Sequence, residues 1–257
     1  MGRSWKKPGV GGSLLYALLG MGFSGLMATF ARLEVARNAQ RSSTLRGLPP
    51  GGLIVVANHT SLIDGVFLAL AGRQLGRPLR LLGTAGIIEA PLLGRVLRML
   101  GYIAVNRKGP NPAEALAPAA DALRAGEAIA LYPEGRITHN ARMWPERAKT
   151  GAVRLALETS VPIIPLGSVG AHEVVGRRNK LRSLLRAVVT RPDVRMRLGE
   201  PFWPRTFLGL EATGTMKAVS NDQVRAATDE MMRRLVAIVG ELRGESAPDP
   251  LGVPRTD

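Results

Sequence analysis

An apolar run that stops abruptly on a polar cluster constrains this chain most: Leu53-Ile54-Val55-Val56-Ala57, then Asn58-His59-Thr60-Ser61. The run predicts a short buried strand ending at a turn. From Leu62 to Ala71 the apolar side chains fall at helical spacing, so a helix leaves almost directly from the strand end. Strand-to-helix turns at the carboxyl edge of an α/β sheet are where such folds keep their sites.

His59 and Asp64 would sit roughly 140° apart on one ideal helix, so they meet only if His59 lies in the turn and Asp64 in the first helical turn. A carboxylate placed there can accept a hydrogen bond from one imidazole nitrogen and leave the other free as a base. A second reading fits the same residues: Ser61-x-x-Asp64 is a capping box with a shortened acid, and His59 is an ordinary turn residue.

Further along, strands and helices alternate. Arg80 to Gly83 reads as a strand, Pro91 to Leu100 as a helix with proline in its first turn, and Gly101 to Arg107 as a strand ending in a cation. Pro112 to Ala125 is an amphipathic helix, and Ala128 to Tyr132 an apolar strand running into Pro133-Glu134-Gly135-Arg136. A basic stretch, Arg147 to Lys149, precedes a helix from Gly151 to Thr159, whose amino end suits an anion. A strand bracketed by prolines, Val161-Pro162-Ile163-Ile164-Pro165, follows, then a strand at Val194 to Leu198 and a covering helix at Ser220 to Leu242.

Asn58-His59-x-x-x-x-Asp64, Gly101 to Arg107, Pro133-Glu134-Gly135 and Val161 to Pro165 occur in that order. Together they resemble the four blocks of the lysophospholipid (glycerolipid) acyltransferase family, which includes the 1-acylglycerol-3-phosphate acyltransferases. One departure stands out. The family pattern has a small residue between the glycine and the arginine, whereas Arg136 follows Gly135 directly, so Arg142, Arg147 or Lys149 are alternatives for its role. The resemblance implies a mixed, largely parallel α/β sheet flanked by helices. It implies transfer of a fatty acyl group from acyl-CoA or acyl-carrier protein, as co-substrate, to the hydroxyl of lysophosphatidic acid, giving phosphatidic acid. Glycerol-3-phosphate, another lysophospholipid or a glycolipid are the alternative acceptors. His59 would be the general base and Asp64 its orienting partner. Asn58, Glu134 and Gly135 would belong to the acceptor site. Arg107, Arg136 and Lys149 would hold the acceptor phosphate through charge-assisted hydrogen bonds. No metal and no further cofactor is expected.

Composition narrows the rivals. There is no cysteine, which excludes a thiolate nucleophile, a disulfide framework and Cys-ligated metal. No Gly-x-Ser-x-Gly elbow is present for a serine hydrolase. The net charge of +15 calls for a polyanionic partner. Aromatic residues make up only 4%, and neither zinc-finger spacing nor a basic helix followed by heptads occurs, so an anionic membrane surface is expected rather than nucleic acid.

Val10 to Phe30 contains no charged residue and is near the ~20 residues that span a bilayer. Five glycines and two serines keep it moderately apolar, and cations flank both ends. It is expected to be a membrane-embedded helix or helical hairpin within one leaflet, in preference to a full span, a secretory signal or a core helix. Arg177 to Arg197 carries eight cations against Asp193 and reads as a polybasic surface, either simply solvated or facing anionic lipid. The expected organisation is an amino-terminal membrane-associated segment (1–40), an acyltransferase domain (41–243) and a disordered tail (244–257), at the cytoplasmic face of the cell membrane as a peripheral or monotopic protein.

Overall fold

The structure, a computed structural model, describes residues 5–36, 48–88, 90–105, 112–210 and 219–246. Helix α1 (Val10–Phe30) leads into strand β1 (Arg32–Ala36). The strand-to-helix unit follows as β2 (Leu53–Ala57) and α2 (Asp64–Gln74). Next come β3 (Leu79–Thr84), the short helices α3 (Ala85–Ile88) and α4 (Leu93–Met99), β4 (Ile103–Val105), α5 (Pro112–Arg124) and β5 (Ala128–Leu131). The remainder is α6 (Gly151–Thr159), β6 (Ile163–Val169), α7 (Ala171–Val174), α8 (Lys180–Thr190), β7 (Asp193–Leu198), α9 (Pro204–Phe207) and α10 (Asn221–Arg243).

The strands form one sheet in the order β1-β7-β6-β2-β5-β3-β4, parallel throughout except at the β6–β7 pair. This is the mixed, largely parallel sheet expected. β2 lies near its middle and is buried on both faces: Leu53, Val55 and Ala57 enter one core, Ile54 and Val56 the other. That is why its sequence is a continuous aliphatic run with no alternation. Phe67, Leu68 and Ala71 of α2 cover the first face, together with Ala187 of α8. The second face is covered by α5, α6 and α10, through residues such as Ala119, Val153 and Met231. A capping box of Ser220 with Gln223 starts α10, and Gly244 ends it in the left-handed region at φ 65.

Topology places the site. From β2 the chain crosses through α2 to β3 on one side, and from β5 it crosses through α6 to β6 on the other. The crossovers therefore diverge at the carboxyl ends of β2 and β5, and divergence of this kind opens a crevice in α/β sheets.

Two elements sharpen the expected organisation. Residues 32–36, assigned to the amino-terminal segment, belong to the sheet: β1 pairs in parallel with β7 from Arg32 opposite Asp193 to Ala36 opposite Arg197. As an edge strand it tolerates Arg32 and Glu34, which removed the apolar signature of a strand. Val10–Phe30, expected as a helix or a helical hairpin, is one continuous helix. It is held to α2 by Tyr16, whose hydroxyl donates to the Ala69 carbonyl at 3.1 Å, and by Arg73, which donates to the Ala17 carbonyl at 3.1 Å. The expected loop at 41–52 is described only from residue 48 and the tail only to residue 246; the rest of both lies outside the described residues.

The sheet end remote from the site is tied by a buried ion pair. Arg80 Nε donates to Glu127 Oε2 at 3.0 Å and its Nη1 to the Leu100 carbonyl at 2.7 Å, while Lys7 lies 3.5 Å from the other Glu127 oxygen. Glu127→Ala strands the buried Arg80 charge. It should cost about 3–5 kcal/mol, read as a lower urea midpoint at unchanged slope.

Candidate active site

Asp64 opens α2, and one of its oxygens organises the turn after β2. Oδ2 lies 2.9 Å from His59 Nδ1 and accepts the Thr60 N–H at 2.6 Å and the Ser61 N–H at 2.8 Å. A carboxylate already surrounded by N–H donors offers only acceptor capacity to a ring nitrogen, so Nδ1 carries the proton and Nε2 keeps its lone pair. Both readings of the sequence are thus partly met. The acid reaches back to the Ser61 N–H as in a capping box, but the Ser61 hydroxyl donates to the Val175 carbonyl at 2.6 Å and does not cap α2.

Because β2 and β5 are neighbours, the turn after β5 lies against the histidine. The Tyr132 ring stacks on the His59 ring, with centroids 4.0 Å apart and planes inclined by 13°. Its hydroxyl is buried and has no hydrogen-bond partner among the described residues. Burial pushes the phenol well above its ordinary range, so it remains neutral. The His59 backbone is held from both sides: its N–H donates to Glu134 Oε1 at 3.1 Å, and its carbonyl accepts the Thr138 N–H at 2.7 Å. Glu134 Oε2 accepts the Glu146 N–H at 2.9 Å, which fastens the following loop to the same carboxylate. Gly135 turns the chain at φ 75, in the left-handed region, with the Lys149 side chain packed where a Cβ would point.

Asn58 is 1% exposed and faces away from solvent. Its amide donates to the Ser168 carbonyl and accepts the Ser168 N–H, each at 2.8 Å, and so ties the end of β2 to β6. Asn58 and Glu134 therefore hold the histidine turn from behind and do not line the cavity.

That cavity, of about 1250 Å³, opens beside His59. Leu62, Val66, Leu81 and Leu97 form part of an apolar side, and Tyr16, Leu19 and Phe23 of α1 wall it on another. Among the described residues four cations also line the cavity: Arg136, Lys149 and Arg154, near Thr150 and Gly151 at the amino end of α6, and Arg73, which is hydrogen-bonded to α1. Arg136 pairs with Glu146 at 3.3 Å. Lys149 forms no ion pair among the described residues. Of the alternatives for Arg136, Arg142 pairs with Glu245 at 3.1 Å and Arg147 is exposed, and neither lines the cavity. Arg107 lies outside the described residues. His139 is exposed and His172 lies on α7, both away from the cavity lining.

Tyr132, Thr138 and Arg154 were not singled out in the sequence. An aromatic residue directly before Pro-Glu-Gly was the available signal for Tyr132, whereas the Thr138 contact is a backbone one with no side-chain signature.

Burial raises the Glu134 carboxyl to about 7 from an ordinary 4.5, against the opposing pull of the two N–H bonds. The folded chain then holds a proton that the unfolded chain has released, so this contribution is present below 4.5 and is lost as the pH rises through 7. Urea midpoints should fall over that interval in the native chain. Glu134→Gln should lack this part of the slope, and equal slopes in both would contradict the assignment.

Comparison with known proteins gives the family and the fold. The Acyltransferase family model matches residues 37–169. The chain is 24% identical over 151 residues to a chloroplastic 1-acyl-sn-glycerol-3-phosphate acyltransferase of Brassica napus, covering 58% of this chain and 40% of the relative. It is 31% identical over 125 residues to a 1-acyl-sn-glycerol-3-phosphate acyltransferase of Limnanthes douglasii, covering 46% and 41%. An uncharacterized protein of Mycobacterium leprae is 28% identical over 231 residues, covering 76% and 59%. The chain thus spans between 40% and 59% of the length of these relatives. Its fold matches the crystal structure of a 1-acyl-sn-glycerophosphate acyltransferase from Thermotoga maritima with a TM-score of 0.59 at 20% identity, over 92% of this chain and 81% of that one. With the family match running from before the histidine turn through β6, the chain belongs to the acyltransferase family.

Proposed function

We propose that the chain transfers a fatty acyl group from an acyl thioester, acyl-CoA or acyl-carrier protein, to the hydroxyl of lysophosphatidic acid, giving phosphatidic acid. The observation that carries this reading is a histidine with Nδ1 held by a carboxylate, set at the edge of a cavity lined both by aliphatic side chains and by cations. An alcohol is a poor nucleophile at neutral pH, so a base must take its proton as it attacks. His59 Nε2 accepts that proton and the alcohol oxygen bonds to the thioester carbonyl carbon. The tetrahedral oxyanion then collapses, the C–S bond breaks, and the departing sulfur takes the proton back from Nε2. Asp64 stabilises the imidazolium that exists between the two transfers, as the acid of a triad does when the nucleophile belongs to the substrate.

An acceptor with an acyl chain and a phosphate suits a cavity lined by both aliphatic side chains and cations. Lys149 and Arg136 are the cations proposed for the phosphate, with Arg107 a further candidate. Gly135 serves the same site indirectly, by giving Lys149 room. Membrane association fits a lipid acceptor: α1 is long and apolar enough to cross a bilayer, is barely buried, and walls the cavity. We place the protein at the cytoplasmic face of the cell membrane, with α1 in one leaflet and the cavity open to lipid on one side and to a water-soluble thioester on the other.

Two outcomes test this reading. His59→Ala should lower kcat by about a hundred- to ten-thousand-fold in a folded protein, and adding Asp64→Ala to it should cost little more, because the two act as one unit. Retained turnover in His59→Ala would refute the mechanism. Lys149→Ala should lower kcat/KM for lysophosphatidic acid roughly 10- to 100-fold, the worth of a charge-assisted hydrogen bond, and should leave an uncharged monoacylglycerol nearly unaffected. Equal losses on the two acceptors would assign Lys149 a structural role.

A further inference from the structure

Helix α8 carries more apolar surface than the core uses. It buries Ala187 and half-buries Leu184, while Leu181, Leu185, Val188 and Val189 remain 70%, 63%, 49% and 84% exposed. At 100° per residue these four side chains share an arc of about 100°, centred roughly a third of a turn from the buried side. Arg182 and Arg186 border the arc, and no acid lies on the helix. An ordinary surface helix turns its aliphatic stripe to the core and its charges outward. In α8 most of the stripe faces outward beside the charges, which is the arrangement of a helix lying in a membrane interface.

We propose that α8 is a second membrane contact, its apolar arc entering the acyl region of an anionic leaflet with Arg182 and Arg186 at headgroup level. Two observations select lipid as the occupant. Lys180, Arg182 and Arg186 form no ion pair among the described residues, so they are available to anionic headgroups, whereas a second copy of α8 would meet them with like charge. α8 also packs beside α1, on which Leu14, Leu18, Met21 and Leu26 are likewise exposed. The proposal rests on the reading of α1 as leaflet-embedded, and it adds a geometric consequence. One interfacial helix leaves rotation about its own axis free; two side by side fix the plane of the leaflet against the domain, and with it the direction in which the cavity beside α1 opens.

The absence of cysteine allows single labels. Leu185→Cys, Leu18→Cys and Asp222→Cys in the full chain, each carrying an environment-sensitive fluorophore, report α8, α1 and the exposed start of α10 respectively. They are mixed with vesicles of phosphatidylcholine and phosphatidylglycerol bearing acyl-chain nitroxides. The Leu185 and Leu18 labels should shift to the blue and lose most of their emission to the nitroxides, with the Asp222 label unchanged. Adding Arg182→Gln and Arg186→Gln should reverse the Leu185 response and leave that of Leu18 in place. A Leu185 label that stays in water while Leu18 enters the leaflet overturns the α8 proposal and leaves the α1 reading standing. If neither label enters, both fail. A blue shift at Leu185 without lipid, growing with protein concentration, assigns the arc to a second copy and also overturns the proposal.

Discussion

The site depends on one oxygen. Asp64 Oδ2 gathers the Thr60 and Ser61 N–H groups and His59 Nδ1, and each contact fixes something different. The backbone bonds set the path of the turn and the entry into α2. The ring contact sets the tautomer of the histidine and the direction of its free nitrogen. Since all three converge on one buried atom, turn geometry and ring orientation cannot vary independently. Replacing the acid would disturb backbone and side chain together.

Around that atom the sheet supplies rigidity. His59 follows the most buried strand, and its N–H and C=O are both taken by the loop after the neighbouring strand, through Glu134 and Thr138. Asn58 locks the same strand end to β6. Glu134 and Asn58, expected at the acceptor site, brace the histidine, and the cavity lining includes the Tyr132 ring, aliphatic side chains and cations. A buried carboxyl in this position costs solvation, which its two backbone N–H bonds partly offset.

How much was legible in the sequence followed from how local the signal was. β2 and α6 were readable to their end residues, because an unbroken aliphatic run and a glycine-led amphipathic segment are local patterns. The spacing of His59 and Asp64 left a pair and a capping box both open, and it was the resemblance of Asn58-His59-x-x-x-x-Asp64 to the family's first block that favoured the pair. β1 was not, because it is an edge strand whose partner β7 lies far along the chain and whose charges reach water. α8 was visible only as a basic stretch. Its exposed aliphatic residues gain meaning once the helix is seen to bury Ala187 and leave the rest outside. The stacking of Tyr132 on His59 required knowing that β2 and β5 are adjacent, which no spacing within either block states.

In this fold His59 holds its proton on Nδ1 and keeps Nε2 free beside the cavity. Nitrogen-15 NMR of imidazole-labelled protein tests it directly. The chain has 3 histidines, and the His59 signals are those lost in His59→Gln. The neutral ring should show a protonated Nδ1 and an unprotonated Nε2. A neutral ring carrying its proton on Nε2, or one divided evenly between the two tautomers, would contradict the account.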